Sequence, residues 1–306
     1  WLNQSSPGYN SVDCIDNNTC WECGENGAIN YTSNGGINWV SVNSSFTNNN
    51  LFDIVFVNEN TGYISSNYSN IYKTTNCGSN WSLLINLDAY ILLDMDFIDE
   101  NTGWVIGSSG LGKVFNTTNG GNNWIDKSIG TPGGVYTEPL CVEFLNSETG
   151  FVGGFDEPCV NCYNEGVIYK TTNNGLNWSR VLYLNSNNSD DYLRSIKFMN
   201  NQTGWCVGGS ADNGFISKTL NGGNNWIVYN TNNSFPTDFH EVFFINDQTG
   251  WVCGRSGIMK TTDAGLSWNT QLLDVFTHIF TSIIFVNADT GWSVDNQGNS
   301  YKTTNA

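Results

Sequence analysis

The chain has 306 residues, a formal net charge of −17 and three arginines, Arg180, Arg194 and Arg255. With 28 acidic against 11 basic residues it lacks a basic face for phosphates, which excludes nucleic acid and disfavours an anionic membrane surface. No apolar run reaches the roughly 18 residues of a membrane span, so no direct membrane insertion is expected, and the 12 Trp and 17 Phe supply a large core instead.

Taken in chain order, the sequence repeats one unit of about 40 residues seven times. Each unit reads as an apolar strand, Thr-Gly-aromatic, a Gly-containing segment, and a closing Thr-x-Asn-x-Gly-x-Asn-Trp. The first unit carries Thr19-Cys20-Trp21 and closes at Trp39. The second to sixth carry Thr61-Gly62-Tyr63, Thr102-Gly103-Trp104, Thr149-Gly150-Phe151, Thr203-Gly204-Trp205 and Thr249-Gly250-Trp251, and close at Trp81, Trp124, Trp178, Trp226 and Trp268. The seventh has Thr290-Gly291-Trp292 and stops at Thr303-Thr304-Asn305-Ala306, short of its Trp. The chain opens with a Trp instead. Trp1 to Gln4 is therefore expected to form the outer strand of the last unit, with about residues 1–9 completing it. Period-two apolar sets such as Phe52-Ile54-Phe56, Leu93-Met95-Phe97 and Leu140-Val142-Phe144 open the units as strands, and Gly and Asn clusters separate four short strands per unit. The expected fold is an all-β, seven-bladed propeller of four-stranded antiparallel blades in one domain, residues 1–306.

Nine cysteines suggest an oxidising compartment. In the first unit Cys14 stands where the second has Phe56, and Cys20 where it has Gly62. Two complementary departures across one hairpin predict a Cys14–Cys20 disulfide. Cys159 and Cys162 lie in an insertion and are expected to staple it. Cys206 and Cys253 read as buried thiols. Cys23, Cys77 and Cys141 have no evident pairing.

The closing motif resembles the Asp-box of the bacterial neuraminidase repeats. The whole template resembles the propellers of Ycf48-like photosystem II assembly factors, and also the Asn-rich repeat propellers of secreted Bacteroidetes surface proteins. The resemblance covers the full chain and implies the propeller fold and a secreted or cell-surface bacterial location. It implies no single activity, because such propellers include sialidases, xyloglucanases, sorting receptors and non-enzymes. Seven copies of one turn argue for architecture rather than catalysis: Asn or Asp caps it and Gly supplies its positive φ.

The repeats also separate two faces. Thr to closing Trp is always 7 residues, whereas the segment from the second-strand aromatic to that Thr runs 11, 11, 13, 20, 14, 10 and 11. Functional residues favour irregular loops on a rigid scaffold. With the four strands of a blade lettered a to d from the channel outward, the ligand face is thus expected on the b–c and d–a loops of blades 3–6, with candidates Tyr136, Glu138, Asp156, Glu157, Tyr163, Asp191, Tyr192, Arg194, His240 and Arg255. Asp13, Asp53, Asp94, Asp96, Glu143, Lys197 and Glu241 fall out of phase with the apolar set, and some are expected to line an acidic central channel. Such a channel could recruit a structural cation such as Ca2+, but no cofactor and no catalytic residue is expected. His240 and His278 are not in a metal spacing. A sialidase would need an arginine cluster, which three scattered Arg do not suggest.

The expected function is a non-catalytic extracellular or cell-surface binding or scaffold propeller for adhesion or assembly. Its partners would be a protein or glycan at a surface, or other domains of a longer chain. The alternatives are a carbohydrate-active enzyme, sialidase-like or xyloglucanase-like, and an assembly factor for a membrane complex.

Overall fold

The computed structural model describes residues 1–306 apart from 6–8, 43–48, 110, 160–161, 185–189, 211–212, 231–236, 256 and 274–277. It forms seven four-stranded antiparallel sheets. Six are built from consecutive strands. In the seventh, Leu2–Ser5 pairs with Asn299–Thr303 from the far end of the chain. The inner strand of each blade packs on the next, and that of the last blade on that of the first, so the ring is closed.

Two aromatic contacts repeat around the ring. The second-strand aromatic of one blade stacks on the phenylalanine that ends the next inner strand: Trp104 on Phe144 at 3.6 Å and Trp251 on Phe285 at 3.6 Å are the closest. The closing Trp then meets that phenylalanine edge-on, as Trp178 meets Phe144 at 6.3 Å and 85°. Trp1 meets Phe285 in the same way, at 5.8 Å and 89°. Trp1 thus makes in the last blade the contact that the closing Trp makes in blades 2 to 6.

The phenylalanine also dictates the glycine of Thr-Gly-aromatic. A Cβ on Gly150 would lie 2.4 Å from the Phe144 ring, and one on Gly291 2.5 Å from Phe285. Blade 1 changes both partners together. Cys14 and Cys20 are disulfide-bonded, with Cα atoms 4.1 Å apart, and Trp292 of the last blade packs into the same cluster. A cystine here fills the place of a ring and a glycine. Cys159 and Cys162 are also bonded. Cys23, Cys141, Cys206 and Cys253 are buried thiols, and Cys77 is exposed.

The closing turns are self-contained. In blade 2, Gly78 N–H donates to Thr74 Oγ1 at 3.1 Å and Asn80 N–H to Asn76 Oδ1 at 3.0 Å. Blade 6 repeats this with Thr261 and Asp263. The Lys of Lys-Thr-Thr ties blades together. Lys73, Lys170, Lys218, Lys260 and Lys302 each donate to a carbonyl in the next closing turn while lying over their own blade's second-strand aromatic. These five lysines are nearly half of the 11 basic residues, so much of the scarce positive charge is committed to the frame.

Removing residues 1–5 is expected to expose the edge of Asn299–Thr303, and open edges template self-association. Light scattering of the truncated protein should show concentration-dependent assembly. Trp1→Ala alone should cost about 3 kcal/mol in urea unfolding. A truncated chain that stays monomeric with an unchanged midpoint would show that this strand does not close the ring.

Candidate functional site

The seven inner strands line one central channel with a cavity of about 320 Å³. Each strand carries a bulge near its start, at Tyr9/Ser11, Leu51/Asp53, Leu92/Asp94, Pro139/Cys141, Leu193/Ser195, Phe239/Glu241 and Phe280/Ser282. A bulge adds a residue and re-aims the side chains around it. Asn10, Phe52, Leu93, Leu140, Arg194, His240 and Thr281 occupy the bulged position and line the channel. This corrects the simple period-two reading. Phe52, Leu93 and Leu140 are channel residues, and their neighbours Leu51, Leu92 and Pro139 are buried between blades instead.

Asp13, Asp53, Asp94, Asp96, Glu143, Lys197 and Glu241 all line the channel. Their role follows from strand position. An innermost strand is a sheet edge with unpaired N–H groups. In six blades the residue after the bulge reaches the next blade and accepts one of them; in blade 4 that position is the buried thiol Cys141. Met95 N–H donates to Asp53 at 3.0 Å, Val142 N–H to Asp94 at 2.7 Å, and Ile283 N–H to Glu241 at 2.5 Å. Ser11, Ser195 and Ser282 accept equivalent bonds from Ile54, Val242 and Val12. Lower in the channel, Asp13, Asp96 and Glu143 accept from Phe56, Phe144 and Phe198.

Burial raises Asp13, Asp53, Asp94, Asp96 and Glu241. Asp13 is pushed up to about 6. Asp96, with Glu143 beside it, and Glu241 are pushed up to about 7. Asp94, buried against Asp53, lies well above the carboxylate range. Glu143 holds Lys197 in the charged state, at 3.2 Å. Among the described residues no group of three or more His, Cys, Asp or Glu is arranged to hold a metal ion.

The bulged tier is chemically split. Blades 2–4 contribute Phe52, Leu93 and Leu140, and blades 5 and 6 contribute Arg194 and His240. Asp238, which the sequence did not single out, organises the polar half. It is 4% exposed and has a positive φ of 47°. Arg194 Nε donates to its Oδ1 at 3.0 Å, and His240 Nε2 and an Arg255 terminal nitrogen lie 3.7 Å and 3.9 Å from its Oδ2. Burial opposes the charge of Asp238, but His240 and Arg194 outweigh it and hold the carboxyl below its ordinary value. Burial lowers His240, with Arg194 adding to that, so the imidazole is neutral at pH 7. Two guanidiniums against one carboxylate leave one net positive charge at the mouth, on a chain that is otherwise strongly acidic.

The remaining sequence candidates divide by burial. Tyr192 lies beneath the Arg194 guanidinium at 5.0 Å. Tyr136 and Tyr163 are 56% and 52% exposed, and Glu157 is exposed with them. Glu138 is half-buried. Asp156 and Asp191 are corrections, since both are buried. Asp156 accepts from Thr137 at 2.7 Å and Tyr169 at 2.9 Å and pairs with Arg180 at 3.2 Å, so it fastens blade 4 rather than presenting a charge. A loop carboxylate gives no sequence sign of whether it turns inward onto such donors.

The fold has clear counterparts. The structure of YCF48 bound to D1 peptide aligns with a TM-score of 0.73 at 16% identity, covering 99% of this chain and 95% of that one. YCF48 from Cyanidioschyzon merolae gives 0.72 at 16%, covering 99% and 98%. An ancestral GH74 enzyme gives 0.69 at 15%, covering 96% of this chain but 44% of the enzyme. No curated protein matches in sequence. The family model for the photosynthesis system II assembly factor YCF48 matches residues 73–187 and 171–262, most of the repeat array. With that match across the repeats and the same seven-bladed ring, the chain belongs to the YCF48 family of assembly-factor propellers.

Proposed function

We propose that this protein is a non-catalytic, partner-binding propeller that serves the assembly of a protein complex, and that it takes a protein segment at the loop-face mouth of its channel. The observation that carries this is the split mouth. Phe52, Leu93 and Leu140 offer an apolar wall, and Arg194 and Arg255 offer one net positive charge beside it. That pairing suits a peptide end with an apolar side chain next to a carboxylate. The YCF48 structure with a D1 peptide supports peptide binding in the family.

The channel acids favour binding over hydrolysis. A glycosidase needs two carboxylates free to act on a sugar. Here Asp13, Asp53, Asp94, Asp96, Glu143 and Glu241 each hold a backbone N–H of the next blade. The two cystines support work in an oxidising compartment, secreted or at the cell surface.

Fluorescence anisotropy with short peptides ending in an apolar residue tests this reading. Peptides with a free C-terminal carboxylate should bind at least about tenfold tighter than their amides, a 1.4 kcal/mol preference that R194A and R255A should erase. Equal binding of acid and amide would overturn the mouth assignment. Turnover of a glycan polymer that D96N abolishes would overturn the non-catalytic reading.

A further inference from the structure

A second surface lies on the same loop face, over blades 2 to 4. Tyr68, Tyr90, Leu111, Tyr136 and Tyr163 are 62%, 70%, 44%, 56% and 52% exposed. Scattered exposed apolar residues need no explanation, but contiguous ones mark interaction sites. Hydrogen bonds and strand pairings link the segments that carry these residues into one arc. Ser69, next to Tyr68, bonds both the N–H and the carbonyl of Ala89, next to Tyr90. Tyr90 N–H donates to Ser108 O at 3.0 Å. Leu111 bridges to Thr137, and Gly112 N–H donates to Thr137 O at 2.9 Å, beside Tyr136. Tyr136 pairs with Glu157, which leads into the Cys159–Cys162 staple and Tyr163.

The display is held in place. Tyr68 and Ser69 both have positive φ, 55° and 58°. Such a conformation is unfavourable for a non-glycine residue and persists where surrounding bonds impose it. Carboxylates flank the rings: the Asp88 side chain is fully exposed, and Glu157 is exposed. The nearby Lys113 side chain is only 13% exposed and lies between two acids, 2.9 Å from Asp126 and 3.7 Å from the outward-facing Asp88, and the turn lysines are bound to carbonyls at the closing turns on the opposite face.

We infer that this arc is a docking groove for a basic, extended segment of a partner protein, whose Lys or Arg side chains lie over the tyrosine rings and between Asp88 and Glu157. Cations stack on tyrosine faces, and exposed tyrosines are frequent anchors of protein interfaces. The net charge of −17 supplies long-range attraction of the same sign. The inference rests on the reading of the protein as a partner-binding propeller. It adds a surface with the opposite charge preference from the mouth.

The test is anisotropy of a labelled 12-residue Lys-Ser repeat peptide, with a Glu-Ser repeat and cellohexaose as controls. The Lys-Ser peptide should bind, and the Glu-Ser peptide should not. A Y68A/Y90A/Y136A variant with an unchanged melting curve should weaken Lys-Ser binding at least tenfold. D88N/E157Q should reduce its salt dependence, and R194A/R255A should leave it unchanged. Lys-Ser binding that survives the tyrosine variant would mean diffuse attraction to an acidic protein and would overturn the groove. Cellohexaose binding lost in that variant, without Lys-Ser binding, would make the arc a glycan surface instead. If Lys-Ser fails while carboxylate-ended peptides still bind the mouth, only this inference falls; if both fail, both readings fall.

Discussion

Replacing Phe144 with alanine is expected to destabilise the protein by about 4 kcal/mol. The ring is 4% exposed, stacked on Trp104 at 3.6 Å and capped by Trp178, so no water or mobile side chain can fill its place cheaply. Gly150→Ala should also be costly, about 2 kcal/mol or more, because its Cβ would sit 2.4 Å from the same ring. The two changes should not add. Once the ring is gone, the methyl group added at position 150 meets open space, so the double variant should unfold near the midpoint of Phe144→Ala alone. A coupling of about 2 kcal/mol by urea unfolding is the expected result, and additivity within about 0.5 kcal/mol would refute the steric account. Blade 1 already contains a natural solution to this problem. There the ring and the glycine are both gone, and the Cys14–Cys20 cystine occupies their place under Trp292.

That exchange explains why so much of the fold is readable from the residues alone. Seven copies of one template make each departure informative, and a departure at two positions facing each other implies a compensating bond. Trp1 is legible for the same reason, since the chain opens on the residue type that closes each of the first six units. The channel is less legible. The out-of-phase acids identify it, but the bulge that inverts Phe52, Leu93 and Leu140 leaves no mark in the alternation itself. Nor does the sequence say that each acid serves a backbone N–H of the next blade, because that N–H lies about 42 to 55 residues away. The site shows the same limit. Arg194, His240 and Arg255 are visible as rare residue types at the openings of two inner strands and in the blade 6 turn, whereas Asp238 is one of many aspartates and gathers them only through packing. Tyr68, Tyr90 and Asp88 belong to blade 2 and its exit, where loop lengths are ordinary and length variation gives no signal.

The protein is also expected to be more stable at pH 5 than at pH 8, the reverse of a protein whose acids are salt-bridged. Glu22 gives the clearest case. It is fully buried where the last blade meets the first, accepting from Ser300 at 2.5 Å and Asn30 at 3.0 Å, and burial pushes it up to about 7. In the unfolded chain it loses its proton near 4.5. Between those values the folded state binds more protons than the unfolded one, so stability falls as pH rises through that window. For Glu22 alone the loss is about 3 kcal/mol, at 1.36 kcal/mol per unit. Asp13, Asp96 and Glu241 are raised by burial to about 6, 7 and 7 and act in the same direction. Asp16 and Asp99 act oppositely: backbone N–H bonds hold them below the ordinary value, so their contribution is present above about pH 4 and is lost below it. The stability maximum should therefore lie near pH 4 to 5. Urea midpoints measured at pH 5 and pH 8 check the sign, and Glu22→Gln isolates one group. That variant should lose part of the pH dependence and be more stable than the parent at pH 8. A parent protein that gains stability from pH 5 to pH 8, or a variant with the same slope, would mean that the buried acids are ionised in the folded ring and balanced by cations.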